Sequence, residues 1–305
     1  MKKEVEIPSK LNRISRKTNF LFNTIFLILS LICIIPVVFV FMISITSENS
    51  LIRNGYQFIP KEFSASSYLF LWGEINTIVK ALGISVLVTL VGTCLGVIIT
   101  TLLGYVLSRN NYKLNGFLTY LVFIPMIFNG GMISSYVINT NLLSLKNSIW
   151  ALILPLLVSS FNVIICKTFF KTTIPDSIVE SAKIDGASQL NIFAKIIIPI
   201  SKPVFATIGL FLCFGYWNDW FQSSLYITNT NLLSLQALLN NIQKNVQYLA
   251  NNPAAGLSLQ QYKNLMPQEG ARMAIAILII VPIACAYPFF QKYFISGLTI
   301  GAVKG

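Results

Sequence analysis

The sequence has no histidine and few charged residues, and both absences limit what the chain can do. Without histidine it cannot form a Ser-His-Asp triad or an HExxH zinc site, which removes most hydrolase and metalloprotein functions. Only 10% of the 305 residues are charged, whereas a soluble globular chain carries roughly 25%. With 55% hydrophobic residues and a mean hydropathy of +0.71, the composition predicts a polytopic, all-α membrane protein.

Paired cysteines and a phosphate-binding loop are also missing. The five cysteines fall in different apolar runs without metal-ligand spacing, so we interpret them as small buried residues and expect no metal site. No GxxxxGK[ST] segment occurs, so we expect no catalytic residue and no cofactor in this chain. The net charge of +12 is spread in short tracts between apolar runs, which argues against a nucleic-acid partner.

Six apolar runs are long enough to cross a bilayer, since a crossing helix needs about 20 residues. These runs predict helices near residues 20–43, 81–107, 116–138, 148–166, 203–227 and 272–291. Apart from Arg272 at the start of the last run, Asp219 is the only charge within them. The resulting organisation is an N-terminal segment (1–19), a membrane domain (20–291) and a C-terminal tail (292–305). An outer segment, residues 228–271, should form a small extracellular cap with a helix near 233–247.

The distribution of Lys and Arg predicts the orientation, because positively charged loops stay in the cytoplasm. With both termini inside, the cytoplasmic segments hold fifteen of the 22 basic residues. We therefore expect a multi-pass protein of the cytoplasmic membrane with two cytoplasmic ends. The basic N-terminal tract either lies on the anionic lipid of the inner leaflet or is a solvated tail.

The longest internal cytoplasmic loop, residues 167–202, has the pattern of a helix, a turn and a second helix. Ser177 and Glu180 fit a capping box, and Gly186 supplies the backbone freedom needed where a helix ends. A second amphipathic stretch follows, and Pro199 is expected to stop it before Pro203 opens the next membrane helix.

The same loop resembles the EAA signature of ABC importer permeases: Glu180-Ser181-Ala182, three residues, Gly186, nine residues, then Ile196-Ile197-Ile198-Pro199. Ser181 and Ile198 depart from the signature's Ala and Leu. The resemblance implies a coupling helix that docks on the ATPase, a role carried by Glu180, Ser181, Ala182, Asp185, Gly186, Ala187 and Pro199. The alternative is an ordinary cytoplasmic hairpin.

Four further segments resemble the MalG-type permeases of carbohydrate importers: residues 150–155, 184–188, 217–220 and 297–305. Residues 129–133 with Tyr136 resemble a branch linked to oligosaccharides and complex glycans. The resemblance implies a type I ABC importer fold in a bacterial membrane. It also implies several partners: a second homologous permease, two ATP-binding subunits and an extracellular solute-binding lipoprotein received by the outer cap. Gly301, Ala302 and Lys304 would form a second coupling element.

A carbohydrate pathway has two candidate segments. Asp219 is costly within a membrane span, and Tyr216, Trp217, Asn218 and Trp220 around it suit a sugar's apolar faces and hydroxyls. Alternatively, Asp219 hydrogen-bonds another helix or subunit. Asn129-Gly130-Gly131 either breaks the third span along the pathway or ends the helix near the outer surface.

Glycines recur in the second span at Gly83, Gly92, Gly96 and Gly104, where we expect close helix packing. Two other functions stay open. One is a related permease for a peptide or polyamine, and the other is a secondary transporter or channel that needs no ATPase. The single intramembrane Asp disfavours the second, because such proteins often carry several ionisable groups within the membrane.

Overall fold

The computed structural model describes residues 15–109, 112–251 and 268–302. These residues form helices and loops, with one isolated β-bridge between Thr46 and Phe63. They divide into two compact units. The first comprises residues 15–71 and 268–278, and the second comprises residues 72–109, 112–251 and 279–302.

The first unit contains three helices and the start of the last one. They are α1 (Arg16–Ser44), α2 (Glu48–Asn54), α3 (Ser66–Gly73, in this unit to Leu71) and α15 (Gln268–Ala302, in this unit to Leu278). The Glu48 carboxylate accepts the backbone N–H groups of Glu269 and Gly270, at 3.1 and 3.3 Å, so it satisfies donors left free at the start of α15. Tyr56 donates to the Glu269 carboxylate at 2.9 Å, and this hydrogen bond raises the pKa of the Tyr56 hydroxyl.

The second unit is built around α4 (Ile75–Ser108), which packs along α8 and α12. Its other helices are α5 (Asn115–Ile127), α6 (Gly131–Val137), α7 (Trp150–Ile153), α8 (Ser160–Thr173), α9 (Asp176–Ile184), α10 (Gln189–Ile192), α11 (Ile198–Ile200), α12 (Lys202–Trp217), α13 (Phe221–Tyr226) and α14 (Leu235–Asn251). Wider π-helical turns occupy Ile138–Leu142 and Phe193–Ile197, and 3-10 turns occupy Leu154–Leu156 and Thr230–Leu232.

Glycines on α4 allow its neighbours to approach closely. A Cβ atom at Gly104 would overlap the Cβ atom of Cys166 on α8, and one at Gly92 would overlap the Tyr216 ring on α12. At Gly96 it would come within 2.9 Å of the Leu157 carbonyl oxygen. The packing role predicted for these three glycines is therefore confirmed. Gly83 faces open space in this chain, so it makes no such contact.

The predicted spans correspond to helices of differing regularity. Helices α1 and α4 are long and apolar enough to cross a membrane, and counting each bent pair as one span raises the total to four within the described residues. One pair joins residues 150–156 to α8 with a 49° bend, and the other joins residues 189–200 to α12 with an 86° bend. Six spans therefore remain a prediction.

Interruptions explain why the third and fifth runs are not continuous helices. Helix α5 contains Pro125 and ends at Ile127, and Gly131 follows with a φ angle of +83°. Between α12 and α13, residues 218–220 are not helical, so the span predicted over 203–227 was wrong as one helix. The predicted cap helix is confirmed as α14, whereas residues 252–267 of the cap lie outside the described residues.

The last helix is longer than the apolar run suggested. Helix α15 continues to Ala302, so the flexible tail expected after Gln291 was wrong as far as that residue. Gly301 and Ala302 end this helix, and Lys304 lies outside the described residues. Most of the basic N-terminal tract, residues 1–14, also lies outside them.

Candidate functional site

The loop over residues 167–202 forms the predicted helix, turn and second helix. Helix α9 begins at Asp176, directly after Pro175, whose φ of −60° and ψ of 143° set the entry of the chain. The predicted capping box was wrong, because Ser177 lies inside the helix and the N-cap position is Pro175, which offers no side-chain acceptor. An acidic Asp176 in the first turn instead complements the positive end of the helix dipole.

A Schellman turn ends α9. Gly186 has a φ of +80°, its N–H donates to the Lys183 carbonyl at 3.0 Å, and the Ala187 N–H donates to the Ala182 carbonyl at 3.0 Å. The space around a Gly186 Cβ atom would be open, so backbone conformation rather than crowding favours glycine. The role predicted for Gly186 in the turn is confirmed.

The second helix of the loop is irregular. The Ser188 hydroxyl accepts the Asn191 N–H, and Ile192 and Ile197 are fully buried below it. Pro199 lies within α11, and the helical stretch over residues 189–200 ends one residue after it, so the stop predicted at Pro199 is confirmed to within one residue. The chain turns at Ser201, by 86°, before α12 begins.

Helix α9 has one buried and one exposed face. Val179 and Ala182 are buried against the core, at 4% and 7% exposure. Ala187 is half-buried, whereas the other residues of the predicted coupling set are exposed: Glu180, Ser181, Asp185, Gly186 and Pro199. The described chain therefore presents an exposed helix face, with polar side chains and the exposed Ile184, and a tight turn on the surface of its second unit.

An arginine missed as a site residue by the sequence argument anchors this loop. The Arg109 guanidinium forms an ion pair with Asp176 at 2.8 Å, Nη1 to Oδ1. Its Nη2 donates to the carbonyl oxygens of Phe170 and Ile174 at 3.2 and 3.4 Å, and it lies 5.4 Å from the centre of the Tyr105 ring. From the sequence, Arg109 contributed only one of the positive charges that predict the orientation in the membrane.

A cavity of about 450 Å³ lies beside that ion pair, between α9 and the end of α4. Its wall combines apolar side chains such as Leu102, Val179 and Phe193 with the charged groups of Asp176, Glu180 and Lys183. The packing between α9 and α4 is therefore incomplete on this side.

The Asp219 segment does not gather its side chains on one surface. The two Asp219 carboxylate oxygens lie 3.2 and 3.3 Å from the Gln222 nitrogen, so the carboxylate caps the start of α13. Tyr216 and Trp217 are buried, and the Tyr216 hydroxyl donates to the Ile153 carbonyl at 2.8 Å. The Trp217 indole N–H finds no partner among the described residues.

The remaining two members of that segment are exposed. The Asn218 amide donates to the Phe214 carbonyl of its own helix at 2.9 Å. The Trp220 ring lies 5.4 Å below the Lys244 ammonium group of α14, a cation–π arrangement. Trp220 is thus the aromatic residue of the set that solvent or a ligand reaches.

Helix α6, which follows the break in the third predicted span, lies beside α13. The Asn129 side chain accepts the Gly131 N–H at 2.9 Å, which stabilises the break. The Tyr136 ring stacks on Tyr226 with centroids 6.0 Å apart, and the Asn139 amide donates to the Tyr226 hydroxyl at 3.0 Å. Tyr226 and Asn139 had no signal in the sequence, because only folding brings α6 beside α13.

Metal binding has no support in the described parts of the chain, where no three His, Cys, Asp or Glu side chains are placed to hold an ion. The five cysteines are free. Cys166 is buried and Cys213 half-buried, but Cys33, Cys94 and Cys285 are exposed in this chain, so the interpretation of all five as buried residues was wrong for these three.

A family model and several relatives match most of this chain. The model described as "Binding-protein-dependent transport system inner membrane component" matches residues 92–300. Protein LplC of Bacillus subtilis is 36% identical over 274 residues, which is 90% of either chain. The polygalacturonan/rhamnogalacturonan transport system permease protein YtcP of the same organism is 35% identical and covers 92% of this chain and 95% of its own.

A more distant relative and a solved structure agree with these matches. The arabinooligosaccharides transport system permease protein AraQ of Bacillus subtilis is 26% identical over 92% of this chain and 94% of its own. A chain in the crystal structure of a bacterial ABC transporter involved in the import of the acidic polysaccharide alginate superposes with a TM-score of 0.75. At 24% identity, with 92% and 99% of the two chains covered, this similarity shows a common fold.

Proposed function

Because this chain belongs to the family of binding-protein-dependent transport system inner membrane components, we propose that it is a permease subunit that carries a carbohydrate into a bacterial cell. The observation that carries the choice of substrate is the 35% identity, over nearly the full length, to the polygalacturonan/rhamnogalacturonan permease YtcP. AraQ, named for arabinooligosaccharides, agrees with it. An oligosaccharide is therefore the substrate class that we infer.

The transporter contains more than this chain. A second, homologous permease would complete the pathway, two ATP-binding subunits would supply ATP and Mg chemistry, and an extracellular lipoprotein would deliver the sugar. Apolar side chains of α1 such as Phe20 and Phe26 are 74% and 64% exposed in this chain. This exposure supports contact of α1 with lipid or with another protein. Hydrolysis of ATP belongs to the partner subunits.

The membrane arrangement that we propose has six spans with both termini in the cytoplasm. The excess of Lys and Arg in the segments assigned to the cytoplasm supports it. In this arrangement α9 lies on the cytoplasmic side, and the loop containing Lys146 and the cap around α14 lie outside.

Energy coupling passes through α9 and its turn. Glu180, Ser181, Asp185 and Gly186 would contact the ATPase directly, because they form the exposed face of the loop. Ala182 is buried and Ala187 half-buried, so they would shape that face from behind, whereas Pro199 is exposed and would be available for contact. Closure of the ATPases on ATP then shifts the permease pair from inward-facing to outward-facing by binding one state more tightly than the other. The end of α15, with Gly301, Ala302 and Lys304, would form a second contact.

The sugar pathway would use the exposed aromatic and amide groups of two segments. Asn129 and Trp220 are exposed and Tyr136 is half-buried, which supports direct contact with sugar. Tyr216 and Asp219 form hydrogen bonds within the chain, and Trp217 is buried, so we propose that all three shape the pathway, with Asn218 at its edge.

Purification and uptake together test this function. A tagged chain is isolated from native membranes, its partners are identified by mass spectrometry, and the complex is reconstituted in proteoliposomes. Uptake is measured with labelled oligogalacturonides, arabinooligosaccharides, a tripeptide and spermidine. We expect uptake of a carbohydrate that depends on ATP, and no uptake of the tripeptide or spermidine. Uptake of the peptide or spermidine instead would reassign the substrate, and uptake without ATP would reject the importer.

A further inference from the structure

The Arg109 guanidinium joins three helix ends that are far apart in the sequence. Arg109 is the C-cap residue of α4, and its Nε donates to Ser108 at 3.1 Å. Nη2 donates to carbonyl oxygens at the end of α8, and Nη1 pairs with Asp176 in the first turn of α9. The end of α4, the end of α8 and the start of α9 thus share one side chain.

Burial makes this junction more than a surface ion pair. An exposed Arg–Asp pair contributes little, because solvent screens it. The Arg109 side chain is only 14% exposed, although Asp176 is 59% exposed. Two carbonyl acceptors and the Tyr105 ring hold the guanidinium in place independently of Asp176. The planar, multi-donor fork of arginine suits this geometry, whereas a lysine ammonium cannot reproduce it.

The neighbouring cavity adds the second part of the argument. Because about 450 Å³ is unfilled between α9 and the end of α4, apolar packing on that side does not by itself prevent α9 from tilting against α4. The Arg109–Asp176 pair lies at the edge of this cavity and ties the first turn of α9 to α4.

We propose that Arg109 is a positioning residue that passes the movement of α9 to α4, so that the coupling loop and the central helix move as one body. This inference rests on the proposed coupling role of α9. Loss of the guanidinium would let the ATPases move α9 without moving α4, so ATP would be hydrolysed with less transport.

The test compares ATP hydrolysis with uptake in the reconstituted complex. The variants are Arg109→Gln, Arg109→Lys and Asp176→Asn, and the control is Lys113→Gln, which removes the same charge from the same cytoplasmic loop. The transported probe is the labelled oligogalacturonide or arabinooligosaccharide that the wild-type complex takes up. We expect Arg109→Gln to assemble with its partners, keep its basal ATPase rate and consume about tenfold more ATP per sugar, within the range of ordinary coupling energies.

The other variants separate positioning from general stability. Arg109→Lys should also raise the ratio of ATP to sugar, because an ammonium group does not replace the guanidinium. Asp176→Asn should raise the ratio about threefold, and Lys113→Gln should leave it at the wild-type value. The Arg109→Gln/Asp176→Asn double variant should match Arg109→Gln alone, because both changes remove one link. If Arg109→Gln fails to assemble, Asp176→Asn decides by itself.

Two distinct failures can be told apart. If wild type takes up no carbohydrate with ATP, the proposed function is wrong, and if Gly186→Val couples normally, the coupling role of α9 and its turn is wrong. If both behave as expected and the ratio of ATP to sugar is unchanged in the Arg109 and Asp176 variants, only the role of Arg109 is overturned.

Discussion

At the scale of the residue, glycines take two different roles in this molecule. Gly104 and Gly92 occupy helical positions where a neighbour touches the backbone, so they need a small side chain. Gly186 occupies open space but a left-handed backbone conformation, so it needs freedom in φ. The same residue type therefore responds to substitution in two ways.

Replacing Gly104 should destabilise the protein. A Gly104→Val side chain would overlap Cys166 and approach the Lys167 backbone nitrogen, which forces α4 and α8 apart and costs about 1–3 kcal/mol. The melting temperature of the purified chain in detergent measures the effect. Gly83→Val, whose position is open in this chain, is the control and should change it little. Equal melting temperatures for the two variants would contradict the contact at Gly104.

Replacing Gly186 should impair coupling rather than insertion. A β-branched residue at a φ of +80° is strained, at a cost of roughly 1–2 kcal/mol or more, so Gly186→Val should distort the turn after α9. Asparagine tolerates this conformation, so Gly186→Asn should retain more uptake at equal membrane content. Normal uptake in Gly186→Val would argue against a role for the turn.

At the scale of the element, two of the predicted helical runs are interrupted, and at each interruption a side chain accepts a hydrogen bond from a backbone N–H. Asn129 accepts a backbone N–H at the break before α6, and Asp219 does so at the break before α13. Such capping lets a helix start again where the chain leaves the helical path. The breaks place Tyr136 on α6 beside Tyr226 on α13.

Substitution of Asp219 distinguishes a helix cap from a sugar contact. Asn caps helices as well as Asp, so Asp219→Asn should keep stability and uptake, whereas Asp219→Ala should lose about 1 kcal/mol and reduce uptake. Thermal unfolding and proteoliposome uptake are the measurements. A loss of uptake in Asp219→Asn at unchanged stability would show that the carboxylate itself meets the substrate.

At the scale of the whole molecule, many large apolar side chains are exposed in the described part of the chain. Helix α1 is exposed along nearly its whole length in the described chain, and it carries no charge after Lys17. A membrane is the surrounding that this surface fits.

Cysteine labelling tests the arrangement in the membrane. In a background without native cysteines that retains uptake, Lys183→Cys should react with a membrane-impermeant maleimide only from the cytoplasmic side. Lys146→Cys should react only from the outside. Both positions are exposed, so access depends on the side of the membrane. Reaction of both from one side would overturn the proposed orientation.

Sequence reasoning succeeded where the determinants are local. The apolar runs identify α1 and α4, and the spacing from Glu180 to Gly186 locates α9 and its turn, because helix periodicity and end signals act within a few residues. It failed at Ser177, which is the second residue of α9, whereas Pro175 occupies the N-cap position.

What the sequence determined by itself is the class of the protein: a membrane permease component with an exposed helix and glycine turn between two apolar segments. What only the tertiary structure decided is which distant groups meet. Arg109 pairs with Asp176, Tyr136 stacks on Tyr226, and Gly104 receives Cys166, each across many residues of chain. These contacts depend on how the helices pack, and packing is a property of the whole fold that no local pattern encodes.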